Sequence, residues 1–134
     1  MLLDVNDGSL LGYRVGSLAP VSLGGEHLQL FDDGYAINVI DGKISSIFTC
    51  YRDGYEGFRS FKGGVSLDGR VLHFDNDTDF EKVIQVFGDP VEQWNDGVEM
   101  CAEFKVNDVR VEVIWNVDGR QSLDYISLER VNAI

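Results

Sequence analysis

The sequence predicts an α+β domain, a twisted antiparallel β-sheet with one short main helix packed on one face. Three observations carry this. Runs rich in β-branched and aromatic residues are punctuated by two-residue turn signals, only one segment has clear helical periodicity, and strands do not alternate with helices as a parallel sheet would require. The 134 residues contain no repeat, low-complexity tract or linker, and Pro occurs only at 20 and 90, so a single domain over 1–134 is expected.

Taken in order, residues 6–27 are rich in Gly and Ser and weakly patterned, which predicts loops around at most one short strand. "YAINVIDGKISSIFTCY" then gives two β-rich runs around Asp41-Gly42, a strong hairpin turn. "YRDGYEGFRSFKGG" follows as a Gly-hinged segment whose Phe58 and Phe61 are expected to tuck onto the core. "VSLDGRVLHF" repeats the Asp-Gly signal at Asp68-Gly69 and reads as a smaller hairpin or one strand with a turn, with His73 as a strand residue.

"DNDTDFEKVIQVFGDP" opens with acids at 75, 77 and 79, a spacing shared with calcium loops. With Asp75 as the first position of such a loop, Phe80 falls where the sharp turn needs Gly and Val86 where a bidentate Glu should bind, so the calcium reading fails. A helix over about 79–87 fits better. Thr78 is the expected N-cap, and Glu81 three residues on completes a capping box. Phe80, Val83, Ile84 and Phe87 form one apolar stripe, and Gly88 stops the helix before Pro90.

The next two runs, "VEMCAEFKV" and "VRVEVIWNV", flank Asn107-Asp108. Pairing Val106 with Val109 sets Phe104 opposite Val111, Ala102 opposite Val113, Met100 opposite Trp115 and Val98 opposite Val117, so one face is wholly apolar. The other face pairs Glu103 with Glu112 and Lys105 with Arg110, with opposite charges on the diagonals. "LDYISLERV" returns as a third strand after Asp118-Gly119. The apolar sheet face and the helix stripe together predict the core.

Charge is the unusual property. With 23 acids against 11 bases the net charge is −12, a field that repels nucleic acid and anionic membranes and favours either a cationic partner or simple solubility. The start, Met1-Leu2-Leu3-Asp4, lacks the basic opening of a secretory signal, and no run approaches a membrane span, so a cytoplasmic location is expected. Cys50 and Cys101 are isolated and sit at no metal-ligand spacing, so buried free thiols are the expected state, with a disulfide between the two as the lesser alternative. No base is placed beside a nucleophile, the carboxylates form no specific pair, and Gly24-Gly25 and Gly63-Gly64 lack a phosphate-loop context. Catalytic residues, metal ligands and cofactors are therefore expected to be none.

Two surface features remain. Nine acids between Asp75 and Glu103 against Lys82 alone give a local net of −8, and the adjacent aromatic segment offers Tyr55 and Arg59 as anchors. Asp75, Asp77, Glu92, Asp96, Glu99, Tyr55 and Arg59 are the candidate partner-binding residues.

The order of "GYAINVIDGKISSIFTCY", "GYEGFRSFKGGV", "DTDFEKVIQVFGDPVEQW" and a closing three-stranded meander resembles small bacterial α+β proteins associated with toxin systems, over roughly residues 34–131. Some of these look like immunity proteins. The resemblance implies a toxin-neutralising protein that binds and blocks a basic toxin domain, a nuclease above all, with carboxylates standing in for phosphates. It carries over no functional residue, since what is shared is core and turn. The alternatives are a non-enzymatic interaction or self-assembly module and a small carboxylate-dependent enzyme.

Overall fold

A computed structural model of the chain describes residues 1–23 and 26–131, which leaves Gly24-Gly25 outside it. Strands β1 (Leu2–Asp4), β2 (Ser9–Leu10) and β3 (Tyr13–Arg14) precede a 3-10 turn at Val21–Leu23. They are followed by β4 (Leu28–Leu30), β5 (Tyr35–Ile40), β6 (Lys43–Cys50), β7 (Gly64–Leu67) and β8 (Arg70–Leu72). Helix α1 (Phe80–Phe87) comes next, then β9 (Glu92–Asn95), β10 (Glu99–Val106), β11 (Val109–Asn116) and β12 (Ser122–Arg130).

The hairpin signals act as expected. Asp41 and Gly42, at φ 51° and 75°, turn β5 into β6, and Asp68 and Gly69, at φ 51° and 79°, turn β7 into β8. His73 lies one residue beyond β8 rather than in it. The β10/β11 register is the expected one, from Val106 opposite Val109 to Met100 opposite Trp115. Val98 falls just outside the strand, although its carbonyl still accepts from the Val117 amide at 2.8 Å.

The architecture departs from a single sheet. The seven-stranded antiparallel sheet runs β4-β5-β6-β12-β11-β10-β9, and a second, five-stranded sheet runs β3-β2-β1-β7-β8. Its centre is a parallel pair, with Leu3 of β1 beside Val65 of β7. That contact joins the first residues to a segment some sixty positions on, so no local hairpin signal announces it. Residues 6–23 accordingly hold two short strands and a 3-10 turn, more order than their composition suggests.

One hydrophobic core joins both sheets and the helix. Leu3, Val5, Leu10, Val65 and Leu67 from the smaller sheet meet Ile37, Ile47, Val111, Val113, Trp115, Ile126 and Leu128 from the larger one. Helix α1 buries Val83 fully and lays Phe87 on Phe104, ring centroids 4.9 Å apart, and Phe80 against Trp115 at 5.7 Å.

The cap of that helix is one residue later than its sequence suggests. Asp79, not Thr78, is the N-cap, and its carboxylate accepts from the Lys82 amide at 2.9 Å. Thr78 is buried one step earlier, where its hydroxyl accepts from the Asp75 amide at 3.0 Å and its carbonyl takes the Trp115 indole N–H. The reason is competition: Asp and Thr are comparable caps, and the Trp115 bond fixes Thr78 below the helix start. Gly88, at φ 85°, ends the helix by donating to the Ile84 carbonyl.

Both cysteines are buried free thiols. Along the outer face Cys101 pairs with Ile114, Ile114 with Tyr125 and Tyr125 with Cys50, so three inter-strand steps separate them. At ~4.8 Å a step that is ~14 Å, twice the reach of a disulfide. Among the described residues no helix is long and apolar enough to cross a membrane.

Candidate functional site: the outer face and acidic end of the large sheet

The face of the seven-stranded sheet turned away from the core is organised in rows by the strand register. Glu92, Glu103, Glu112, Ser127, Phe48 and Ala36 form one row, from the β9 edge inwards. Lys105, Arg110, Glu129, Ser46 and Asn38 form the next. Acids thus concentrate on β9, β10 and β11 beside Lys105 and Arg110, while on β6 and β5 the first row ends in apolar Phe48 and Ala36 and the second in polar Ser46 and Asn38.

The apolar end of the first row is covered by the 51–63 loop. Phe58 is buried against Ala36 and Cys50, with its ring 5.1 Å from Phe48 and 4.6 Å from Phe31. Phe61 turns the other way, into the main core, so both phenylalanines tuck inwards as expected. The loop is pinned where Phe61 and Arg59 donate to the carbonyls of Cys50 and Phe31. Gly34 makes that close approach possible, because at φ 78° a Cβ there would lie 2.5 Å from the Arg59 carbonyl oxygen.

Tyr55 stands at the boundary between the covered and the acidic halves. Its ring is 6.0 Å from Tyr125 and 6.5 Å from Phe48, and the Arg52 guanidinium sits 5.0 Å above it. Burial first, and then the negative charges of Glu56, Asp124 and Glu99, raise its hydroxyl above the ordinary tyrosine value. Tyr125 is raised in the same way, by burial and by its hydrogen bond to Glu112 at 2.9 Å. In both phenols burial is the larger cause, and the neighbouring carboxylates add to it.

Asp124 is the acid that sequence reading missed. It is the extra residue of a β-bulge, where the β11/β12 register shifts between Ile114 and Trp115. The bulge buries its side chain, and Arg52 Nε lies 3.3 Å from one carboxylate oxygen that has no hydrogen-bond donor among the described residues. Burial raises its pKa above the usual carboxylate range, with Arg52 opposing and Glu99 adding to the effect. The one signal in "LDYISL" is the adjacent apolar pair Tyr125-Ile126, which breaks the alternation and puts Leu123 out of phase with Ile126 and Leu128.

Comparison with protein families, curated proteins and solved structures gives no match.

The candidate partner-binding residues fall mostly at one end of the sheet, where the 51–63 loop, the 75–79 loop and the β9/β10 and β11/β12 turns meet. Leu123 exchanges two hydrogen bonds with Asn76, and the Val117 amide reaches Val98, which ties three of these segments together. Asp75 accepts from the Asp77 amide at 2.9 Å, and Asp77 pairs with Arg120 at 2.6 Å, both exposed. Asp96 accepts from the amides of Glu99 and Val98, which hold its carboxyl below the usual range. Glu99, at the start of β10, lies near enough to Tyr55 and Asp124 for its charge to raise both. Glu92 lies apart from these, in mid-strand register opposite Glu103 on the β9 edge. Arg59 is exposed on the loop, lining a cleft with Asp32, Asp53, Ser60 and Lys62. The single cluster suggested by the sequence is therefore divided: Asp75 and Asp96 also shape their own turns, Asp77 is paired, and Glu92 and Glu99 have no ion-pair partner among the described residues.

Cys101, Glu103 and Glu112 bring one ligand atom each within 4.8 Å of the others. Their donors are already committed. Arg110 binds Glu103, Tyr125 binds Glu112, and burial with the neighbouring carboxylates pushes the Cys101 thiol up to about 12. A cation here would have to displace Arg110 and deprotonate that thiol, so the arrangement reads as a charge-balanced sheet surface.

Proposed function

We propose that the chain is a non-enzymatic, immunity-type protein that binds and blocks a basic toxin domain, with a nuclease as the natural target. The observation that carries this is that acids from separate segments lie at one end of the sheet, with Glu99 near enough to Tyr55 to act on its hydroxyl. Asp75 and Asp77, Asp96 and Glu99 are far apart in sequence, yet the 75–79 loop, the β9/β10 turn and the β11/β12 connection beside them are bonded together. Carboxylates so placed can meet the lysines and arginines that would otherwise hold phosphates, and they speed encounter with such a surface. Tyr55, half-buried with its ring stacked on Phe48, supplies the kind of rigid amphipathic contact that anchors interfaces.

Support for a role without catalysis comes from the nucleophiles. Burial holds the protons of both thiols tightly, and His27 spends its Nδ1 accepting from the Val39 amide. Co-expression with the protein encoded beside it tests the reading. Relief of growth arrest, weakened when Asp75, Asp77, Glu92 and Asp96 are changed together to Lys, is expected. A neighbouring product that is harmless, or equally toxic with and without this protein, contradicts it.

A further inference from the structure

Strand β9 closes one side of the seven-stranded sheet, and all four of its residues are exposed. Its hydrogen-bonding pattern follows from two backbone contacts. Asp96 N–H donates to the Glu99 carbonyl, and Val91 N–H donates to that of Glu103, opposite which Glu92 also sits. With the alternation of an antiparallel ladder, Glu92, Trp94 and Asp96 bond inwards to β10, whereas the N–H and C=O groups of Gln93 and Asn95 face outwards. Among the described residues no backbone group meets them.

The two sides of this edge differ in chemistry. On the outer face lie Glu92 and the half-exposed indole of Trp94. On the core-facing side a cavity of about 250 Å³ is lined by Phe80, Gln93, Trp94, Asn95 and Met100. Val91 and Val98 are exposed at the two ends of the strand. Sheet edges in monomeric proteins are commonly guarded with lysine. From Asp89 to Glu99 this one carries Asp89, Glu92, Asp96 and Glu99 and no base.

We infer that β9 accepts an extended segment of the partner as an eighth strand of the sheet, and that this segment alternates basic with apolar residues. Main-chain bonds to Gln93 and Asn95 hold it. Its basic side chains lie beside Glu92 and over the Trp94 indole, and its apolar ones face the cavity between β9 and α1. A second copy of the chain suits the edge poorly. Antiparallel self-pairing centred on Trp94 sets Glu92 against Asp96 twice, like charge directly across the ladder. This inference rests on the reading of a cationic partner, and adds to it where and how that partner is held.

The probe is a short peptide alternating lysine with valine, titrated into the whole protein. Controls are the same peptide N-methylated on alternate residues, a glutamate-valine analogue, and the variant Gln93→Pro. Proline at 93 removes only an outward N–H from an edge strand, so the fold is retained, as an unchanged melting temperature will show. Binding is expected to slow hydrogen exchange at the Gln93 and Asn95 amides. Both N-methylation and Gln93→Pro should weaken it about tenfold or more, the loss expected for missing main-chain bonds. Equal binding of the N-methylated peptide and by Gln93→Pro overturns strand addition while leaving an acidic docking surface intact. Failure of the lysine-valine peptide to bind overturns strand addition too. Equal binding of the glutamate analogue overturns the cationic-partner reading itself, and self-association abolished by Gln93→Pro would make a second copy the occupant.

Discussion

The indole Nε1–H of Trp115 donates to the backbone carbonyl of Thr78 across 2.9 Å, with both residues buried. This bond fastens the entry of α1 to strand β11 of the large sheet, and it satisfies the carbonyl of a buried residue. Trp115→Phe keeps an aromatic ring but orphans that carbonyl and leaves a small void. A loss of about 2–4 kcal/mol is expected from the urea midpoint, with an unchanged slope. A loss below about 0.5 kcal/mol would mean that the bond is replaced by solvent.

The helix cap separates two arrangements that the sequence alone left adjacent. Asp79→Ala should cost about 1 kcal/mol, because its carboxylate accepts from the Lys82 amide, while Glu81→Ala should cost little. Equal losses in chemical denaturation would instead indicate the Thr78–Glu81 capping box.

Much of this fold was legible, and the reasons are local. Asp41-Gly42 and Asp68-Gly69 have few other uses than a tight turn, and the β10/β11 register follows from keeping Phe104, Ala102 and Met100 on the side of Val111, Val113 and Trp115. What escaped reading depends on distant partners. The β1/β7 parallel pair has no turn to announce it, and β9 is a strand because β10 offers an edge, not because Glu92–Asn95 alternates in polarity. Tyr55 and Arg59 were placed on the correct loop by composition. Asp124 was missed because its burial comes from a bulge, and the charge run from Asp75 to Glu103 could not reveal that Asp77 spends its charge on Arg120.

Asp124 gives the protein a pH dependence of definite sign. Burial raises its folded-state value, so the native state binds its proton more tightly than the unfolded chain does. Stability is therefore lost from this group as pH rises from the unfolded carboxylate range through the raised folded value. Asp53 and Asp96, both lowered by backbone hydrogen bonds, act oppositely: their contribution is present above the unfolded value and lost as pH falls through the folded one. Asp124→Asn should gain stability relative to the parent between about pH 3 and pH 7. Thermal melts of the pair across that range check it. A parent more stable than Asp124→Asn at neutral pH would mean that the Arg52 ion pair outweighs the burial.

The central claim, that acids at this end of the sheet receive a cationic protein, is tested most directly by the association rate with the purified neighbouring product as salt increases. The screening length falls from ~10 Å at 0.1 M to ~3 Å at 1 M, so the on-rate should fall steeply over that range. It should also fall at low salt when Asp75, Asp77, Glu92 and Asp96 are changed to Lys, with a smaller change in dissociation. Tyr55→Ala should do the reverse, shortening the complex's lifetime while leaving encounter nearly unchanged. An on-rate indifferent both to salt and to the fourfold charge reversal would contradict the account.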